Sequence, residues 1–418
     1  MNTEFHFQTD VLIVGSGPAG TSTSLFLSKH KIPHVIVDKS DFPRDKTCGD
    51  ALSGKVMSVL KKIDPEIEGE LKLDSEHFID CWGVKFVAPN GKFIDVPFRQ
   101  KRDPEMNPPG FISKRVDFDF FLFKKLDRNY AEVKTNVEIK SLTEVSDGVE
   151  VEFLESGIAK KGKAKVVVGS DGAHSVVAKQ LGKLKYDDNY YSAGIRCYYE
   201  NVTDLHPENF IELQFLKNLN PGYLWIFPLP NNQVNVGLGI PKLFLNEKNR
   251  QLKNVMFDLI KNDPVLSKRF KNAKLVGEVK GWGLPLGNVN RKISGNRFLL
   301  TGDSGQLIDP FTGEGIGNAM MSGMVAADTI KKAIELNDFS EKMLIEYDQR
   351  VYKMIGDELK LSDRIQKLAG KQWLFNFVVN RANTSPTFRE LLTYMFENID
   401  LRAKLNSPVF YLKLLFNR

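Results

Sequence analysis

A chain of 418 residues, 42% hydrophobic and 26% charged, has an ordinary globular composition and room for two or three domains. A net charge of +6 is small beside 58 basic and 52 acidic side chains, so no nucleic-acid partner is expected, and an anionic membrane surface is favoured only weakly. No apolar run approaches the roughly 20 residues that span a bilayer. Met1 to Asp10 lack the pattern of a signal sequence, so a soluble or peripheral protein is expected. The three cysteines, Cys48, Cys81 and Cys197, form no CxxC pair and no metal-like spacing. They fit a reducing cytoplasm, call for no metal and exclude a four-cysteine iron–sulfur cluster within the chain.

In chain order, Val11 to Val14 reads as a strand, followed at once by glycines and by an apolar-periodic helix through Leu27. Val35 to Val37 is a second strand. Phe42 to Leu52 is a loop too long to be a mere connection. Gly83 to Val87 and Lys92 to Val96 alternate like strands around the hairpin turn Pro89-Asn90-Gly91. Arg115 to Leu126 is expected to be helical, while Val133 to Lys140 and Val149 to Phe153 flank the turn Ser146-Asp147-Gly148. Val166 to Val168 is a buried strand ending on Gly169-Ser170-Asp171-Gly172. From Tyr190 to Val279 an aromatic, alternating pattern predicts an antiparallel sheet, Phe298 to Leu300 returns to the parallel one, and the rest after Glu314 is expected to be helical. The fold class is α/β. Residues 1–75, 105–185 and 280–330 form a Rossmann-like dinucleotide domain, 76–104 and 186–279 an inserted antiparallel-sheet substrate domain, and 331–418 a C-terminal helical region.

Three motifs carry the chemistry. Gly15-Ser16-Gly17-Pro18-Ala19-Gly20 is a GxGxxG between a strand and a helix, the arrangement that brings backbone and helix N-terminus up to a pyrophosphate. Asp38, with Lys39 beside it, closes the second strand at the spacing of an acid that accepts ribose hydroxyls. The second motif is Asp171-Gly172 at a strand end. The third is Gly302-Asp303, continued by Asp309-Pro310-Phe311-Thr312-Gly313-Glu314-Gly315-Ile316-Gly317.

In this order the motifs resemble the flavoprotein superfamily typified by the aromatic hydroxylases, over residues 8 to 330. The resemblance implies one bound FAD, with Asp303 on its ribityl chain and Gly313, Gly315, Ile316 and Gly317 presenting backbone N–H groups to the flavin ring. Such donors favour the negative charge of reduced flavin. Arg115 matches the superfamily's arginine that opens a helix beside the cofactor phosphates.

Two further stretches resemble the geranylgeranyl reductase branch, whose members reduce carbon–carbon double bonds of polyprenyl lipids. Tyr223-Leu224-Trp225-Ile226-Phe227-Pro228 followed by Gly237-Leu238-Gly239 fits its aromatic-x-Trp-x-Phe-Pro…GxG pattern, which implies that Tyr223, Trp225, Phe227 and Pro228 line a substrate cavity. Lys46-Thr47-Cys48-Gly49-Asp50 resembles its K-x-C-G-G loop, with Asp50 where glycine is usual. Cys48, Gly49, Tyr223 and Trp225 thereby become candidates at the reacting face, Cys48 for proton or redox chemistry. Cys81 and Cys197 read as core, and His174 as a packing residue. Alkene reduction needs a hydride, a proton and a dry pocket. The chain has one strand–GxGxxG–helix unit, so NAD(P)H or another electron donor is expected to dock transiently.

The nearest rival is a flavin monooxygenase or halogenase acting on an apolar substrate. Halogenases resemble the chain at the aromatic strand but show W-x-W-x-I-P there and usually Gly-Glu-Ser where Cys48-Gly49-Asp50 stands. A quinone-linked flavoprotein dehydrogenase would need an iron–sulfur site, and an isoprenoid-binding chaperone would not need intact FAD motifs. Pro408 to Arg418, apolar with two cations, is expected either to dock on the protein or to lie on a membrane surface.

Overall fold

The computed structural model describes residues 5–99, 106–185, 187–248 and 251–390, so the Pro408–Arg418 segment lies outside the described residues. The apolar run before Gly15 forms the strand Phe7–Val14, whose last four residues are buried. Flanked on both sides by parallel neighbours, Ile158–Gly169 and His34–Val37, it sits mid-sheet, where a continuous apolar run belongs. Ala131–Lys134 continues the sheet at one side and Phe298–Leu300 at the other. The hairpin strands Val137–Val145 and Gly148–Glu155 extend it antiparallel from Ile158–Gly169.

The helix Pro18–Lys29 packs against Ile316–Leu336. The two approach closely because position 323 is glycine; a Cβ there would press on Thr23 Oγ1 at 2.9 Å. Ser22 Oγ donates to Met320 O at 2.8 Å across the same contact. The long helix Glu341–Ala369 locks this unit from behind, where the buried Tyr347 Oη donates to Leu300 O at 2.7 Å. Among the described helices none is long and apolar enough to cross a membrane.

A second, seven-stranded sheet runs in the order Lys274–Pro285, Tyr191–Glu200, Gln233–Pro241, Tyr223–Leu229, Ile211–Gln214, Gly83–Val87, Phe93–Pro97. It departs from the sequence reading in three ways. Ile211–Gln214 and Gly83–Val87 pair in parallel, because the second segment of this sheet returns beside the first after a long excursion through the other sheet. The Lys274–Pro285 strand runs past the boundary expected at 279. The stretch read as continuous sheet also holds the helices Lys242–Lys248, Leu252–Asn262 and Leu266–Arg269. The middle one buries Met256 and Ile260, a helical spacing hidden among aromatic strands.

These helices cover one face of the sheet, where Leu224, Ile226, Val236 and Leu238 pack with Met256 and Ile260. Trp225 and Phe227 point to the other face, with Leu213, Phe215 and Phe86. The Gln372–Thr384 helix closes that side, its Phe375 ring 4.3 Å from that of Phe215.

One buried ion pair ties the covering helices to the sheet. Arg269 Nη1 lies 2.7 Å from Glu212 Oε1, with both side chains 5% exposed or less, and Arg269 Nε donates to Thr203 O at 3.1 Å. Removing one partner leaves the other charge buried, so Arg269→Met is expected to cost about 3–5 kcal/mol in urea unfolding. Adding Glu212→Leu should recover most of that loss, and failure to recover it would show that the pair is not the cause.

Candidate active site

The carboxyl ends of Phe7–Val14, Ile158–Gly169 and Phe298–Leu300 meet in one place, the crevice where open α/β sheets bind ligands. Gly15 makes the meeting possible. At φ 101° it turns the chain against Ser170, whose backbone occupies the space a Cβ would need. Ser170 Oγ in turn bonds Thr301 Oγ1 at 2.7 Å, and Thr301 N–H donates to Gly169 O at 2.9 Å, so all three motifs share one junction. Asp38 holds the glycine loop from the side: its carboxylate accepts from Ser16 N–H at 2.8 Å and Ser40 N–H at 2.9 Å.

Arg115 opens the helix Arg115–Lys124 and is almost wholly buried. It grips Asp119 with two bonds, Nε at 2.6 Å and Nη2 at 2.8 Å. Burial opposes its charge, but the Asp119 carboxylate outweighs burial and raises Arg115 further above its ordinary range. Arg44 reaches the same carboxylate at 3.2 Å and Asp38 at 3.5 Å. Its guanidinium lies 3.4 Å from where a Gly17 Cβ would project, so a cation faces the glycine loop across the cavity.

The Cys48 loop is fastened to the second sheet. Gly49 lies under Phe227, where a Cβ would come within 2.9 Å of the ring. Asp50, with φ 71°, has a left-handed backbone, a conformation that glycine adopts freely and that aspartate is among the few other residues to tolerate. Its fully buried carboxylate accepts from Asn235 Nδ2 at 2.7 Å, Tyr198 Oη at 3.0 Å and Arg115 N–H at 3.3 Å. Burial pushes this carboxyl up to about 6, against the opposing pull of Asn235 and Arg196. On the strand, Trp225 lies across Gly237, which has no room for a side chain, and its Nε1 donates to Asn235 Oδ1 at 2.8 Å. Tyr223 Oη donates to Thr312 O at 2.7 Å, joining the aromatic strand to the Gly313–Gly317 segment, and burial raises its hydroxyl above the usual tyrosine range.

One cavity of about 1200 Å³ connects these parts, exceeding the roughly 300–1,000 Å³ of a single-ligand site. Every predicted site residue lines it except four. Pro228 falls on the far face of its strand, because side chains alternate, and pairs with Val234 in the core. Gly20, Gly302 and Gly317 serve close packing, against Gly15 O, Ala319 and the Glu314 carboxylate respectively. Glu314 Oε1 also accepts the Gly317 N–H at 2.8 Å, so that donor faces the chain's own acid and not the cavity. Asp171 lines the cavity while its carboxylate caps the next helix, accepting from Val176 N–H at 2.7 Å. His174 stands edge-on to Trp282 at 5.2 Å, with the Lys46 ammonium 4.5 Å from the same ring. Cys81 and Cys197 are buried, their thiols pushed up to about 12 by burial.

Sequence reasoning missed Arg44, Asn235 and Tyr198. Asn235 had a visible signal, an amide set inside the otherwise apolar run from Val234 to Ile240; nothing marked the other two.

FAD fits these residues. Gly17 is open to the cavity, the Asp303 carboxylate makes no side-chain hydrogen bond to a described residue, and the Gly315 and Ile316 N–H groups likewise have no acceptor among described residues. The family model described as FAD binding domain matches residues 8–351. Fold and site thus define an FAD-dependent oxidoreductase. The digeranylgeranylglycerophospholipid reductase of Methanococcus vannielii is 30% identical, over 86% of this chain and 87% of its own length. Among solved structures, a geranylgeranyl bacteriochlorophyll reductase-like protein of Thermoplasma acidophilum shares the fold with a TM-score of 0.78 at 24% identity, covering 90% of this chain and 92% of that one. A flavin-dependent brominase does so with a TM-score of 0.75 at 20% identity, covering 93% of each. The chain belongs to the FAD-binding flavoprotein family, in the branch of the digeranylgeranylglycerophospholipid reductases.

Asp50 supplies a pH test. Its folded value near 6 lies above the 3.8 of an unperturbed aspartate, so its stabilising contribution is full below about pH 4 and is lost as pH rises through 6. Ionised at neutral pH, it costs on the order of 3 kcal/mol. The stability of Asp50→Asn relative to wild type should therefore rise by about that amount between pH 4 and pH 7.5 in urea titrations. A flat difference would mean an unshifted carboxyl.

Proposed function

We propose that this chain saturates carbon–carbon double bonds in the prenyl chains of a phospholipid. The observation that carries the reading is the single cavity in which the aromatic wall of Tyr223, Trp225 and Phe227 meets the Cys48 loop and the Asp303 and Gly313–Ile316 segment. Reduced FAD, when bound there, supplies the hydride. Gly15, Gly17, Asp38, Arg44 and Arg115 hold its adenosine and phosphate half; Asp303, Gly315 and Ile316 hold the flavin half. The wall of rings keeps water from the alkene and orients it, since aromatic faces suit a branched polyene. Tyr223 keeps its proton on Thr312 O, so Cys48, beside Arg115 and Tyr223, is the better placed group to supply the second hydrogen as a proton. The electron donor, NAD(P)H or another carrier, docks transiently.

Under anaerobic conditions, chemically reduced enzyme given a digeranylgeranylglyceryl phospholipid should yield products heavier by one H2 per bond reduced. In the same assay Cys48→Ala should keep its flavin and lose at least about tenfold in kcat. Turnover that requires oxygen and halide would instead establish the halogenase reading.

A lipid substrate places the reaction at a membrane surface. The Gln372–Thr384 helix suits that surface: its Phe375 faces the aromatic wall while Trp373 and Phe377 are exposed beside Lys371 and Lys367. Sedimentation with anionic liposomes should fall for Trp373→Ala/Phe377→Ala and stay unchanged on removing residues 408–418. The reverse pattern would move the contact to the C-terminal segment.

A further inference from the structure

Position 50 is where the chain leaves the family loop pattern, and the acid found there does what glycine cannot. We propose that Asp50 and Asn235 are paired positioning residues, which fix the Cys48 loop and Trp225 relative to one another through one shared amide. The proposal rests on the reducing function above, since it concerns the two sides of that same site.

The geometry leaves the Asn235 amide no freedom. Its Nδ2 donates both hydrogens, to Cys48 O at 2.7 Å and to Asp50 Oδ2 at 2.7 Å, while its Oδ1 accepts from Trp225 Nε1 at 2.8 Å. An ionised carboxylate only accepts, so it dictates which end of the amide faces the loop. The oxygen is then left for the indole, which only donates. The Cys48 carbonyl asks for the same orientation; with glycine at position 50 the amide would keep that bond and the indole but lose its second acceptor, and with it the brace that ties the loop after Cys48 to the strand.

The carboxylate is itself held on all sides. Tyr198 Oη and Arg115 N–H complete its bonds, and Arg196 stacks 4.2 Å from the Tyr198 ring while its own charge is met by Asp45 at 2.5 Å. Lys114 faces the same ring at 5.0 Å. The network therefore joins the loop, the start of the Arg115–Lys124 helix and two strands of the second sheet. Both Asp50 and Asn235 are 0% exposed, so no solvent competes for these bonds.

Asp50→Gly restores the residue usual in the family pattern, in a backbone conformation glycine adopts freely. The flavin-loaded variant is expected to keep its visible spectrum, to lose roughly tenfold or more in kcat with little change in KM, and to react several-fold faster with a maleimide at Cys48. Thiol labelling reads the loop directly because the other two cysteines are buried. Asn235→Leu should behave alike, and Asp50→Gly/Asn235→Leu should be no worse than either alone, as residues acting as a unit require. Wild-type kcat and labelling rates in Asp50→Gly, or additive losses in the double variant, would overturn the proposal. Should Asp50→Gly not fold, Asp50→Asn replaces it in the same assays with the same criteria. If no variant, wild type included, saturates a prenyl lipid, the function fails, while the labelling rates still decide whether the pair fixes the loop.

Discussion

The whole cavity depends on how closely the backbone at Gly15 approaches Ser170. No side chain fits between them, and the approach lets the ends of three parallel strands share one junction. From it follow the direction of the Pro18–Lys29 helix, the place where Asp38 can reach Ser16 N–H, and the contact of Ser170 with Thr301 that carries the third motif into position. A Cβ at position 15 would stand 2.4 Å from Ser170 O, so a larger residue would force the strand ends apart and disturb the junction on which the remaining features converge.

The second constraint is the short loop from Arg44 to Asp50, in which most residues have a partner in a different element. Arg44 is met by Asp119 and Asp38, Asp45 by Arg196 and Lys280, Lys46 by the Trp282 ring, Gly49 by Phe227, and Asp50 by Asn235 and Tyr198. Such a loop is not a flexible connection. It is the seam between the nucleotide-binding sheet and the aromatic one, and the Arg44 and Asp45 charges are each met by opposite ones while Lys46 rests on a ring. Holding Asp50 ionised has a cost, and costs of this kind gather where a protein gives up stability for function.

Much of this was legible in the sequence because the motifs combine local backbone demands with fixed spacing. A glycine turn after an apolar strand, an acid at the end of the next strand and a glycine pair beside a large ring each have a physical reason visible in one dimension. Gly237 is such a case: the GxG pattern exists because Trp225 lies across it. What the sequence hid was long-range pairing. Nothing in the vicinity of Asn235 says that its amide faces a loop almost two hundred residues earlier, and nothing near Arg44 says that it shares Asp119 with Arg115. The helices between Lys242 and Arg269 were obscured because an aromatic-rich stretch satisfies both strand and helix patterns over short windows. Pro228 was misplaced by reading a motif as a unit, when the strand sends its neighbours to opposite faces.

That alternation along Tyr223–Leu229 has a consequence for how such a protein changes over generations. Leu224 and Ile226 are committed to the apolar layer under the covering helices, while Tyr223, Trp225 and Phe227 touch the cavity. Selection on what the cavity admits and selection on whether the chain folds therefore act on interleaved positions and seldom collide. Rings can thus be exchanged one at a time on an undisturbed scaffold, and the same architecture is found in a geranylgeranyl bacteriochlorophyll reductase-like protein and in a flavin-dependent brominase.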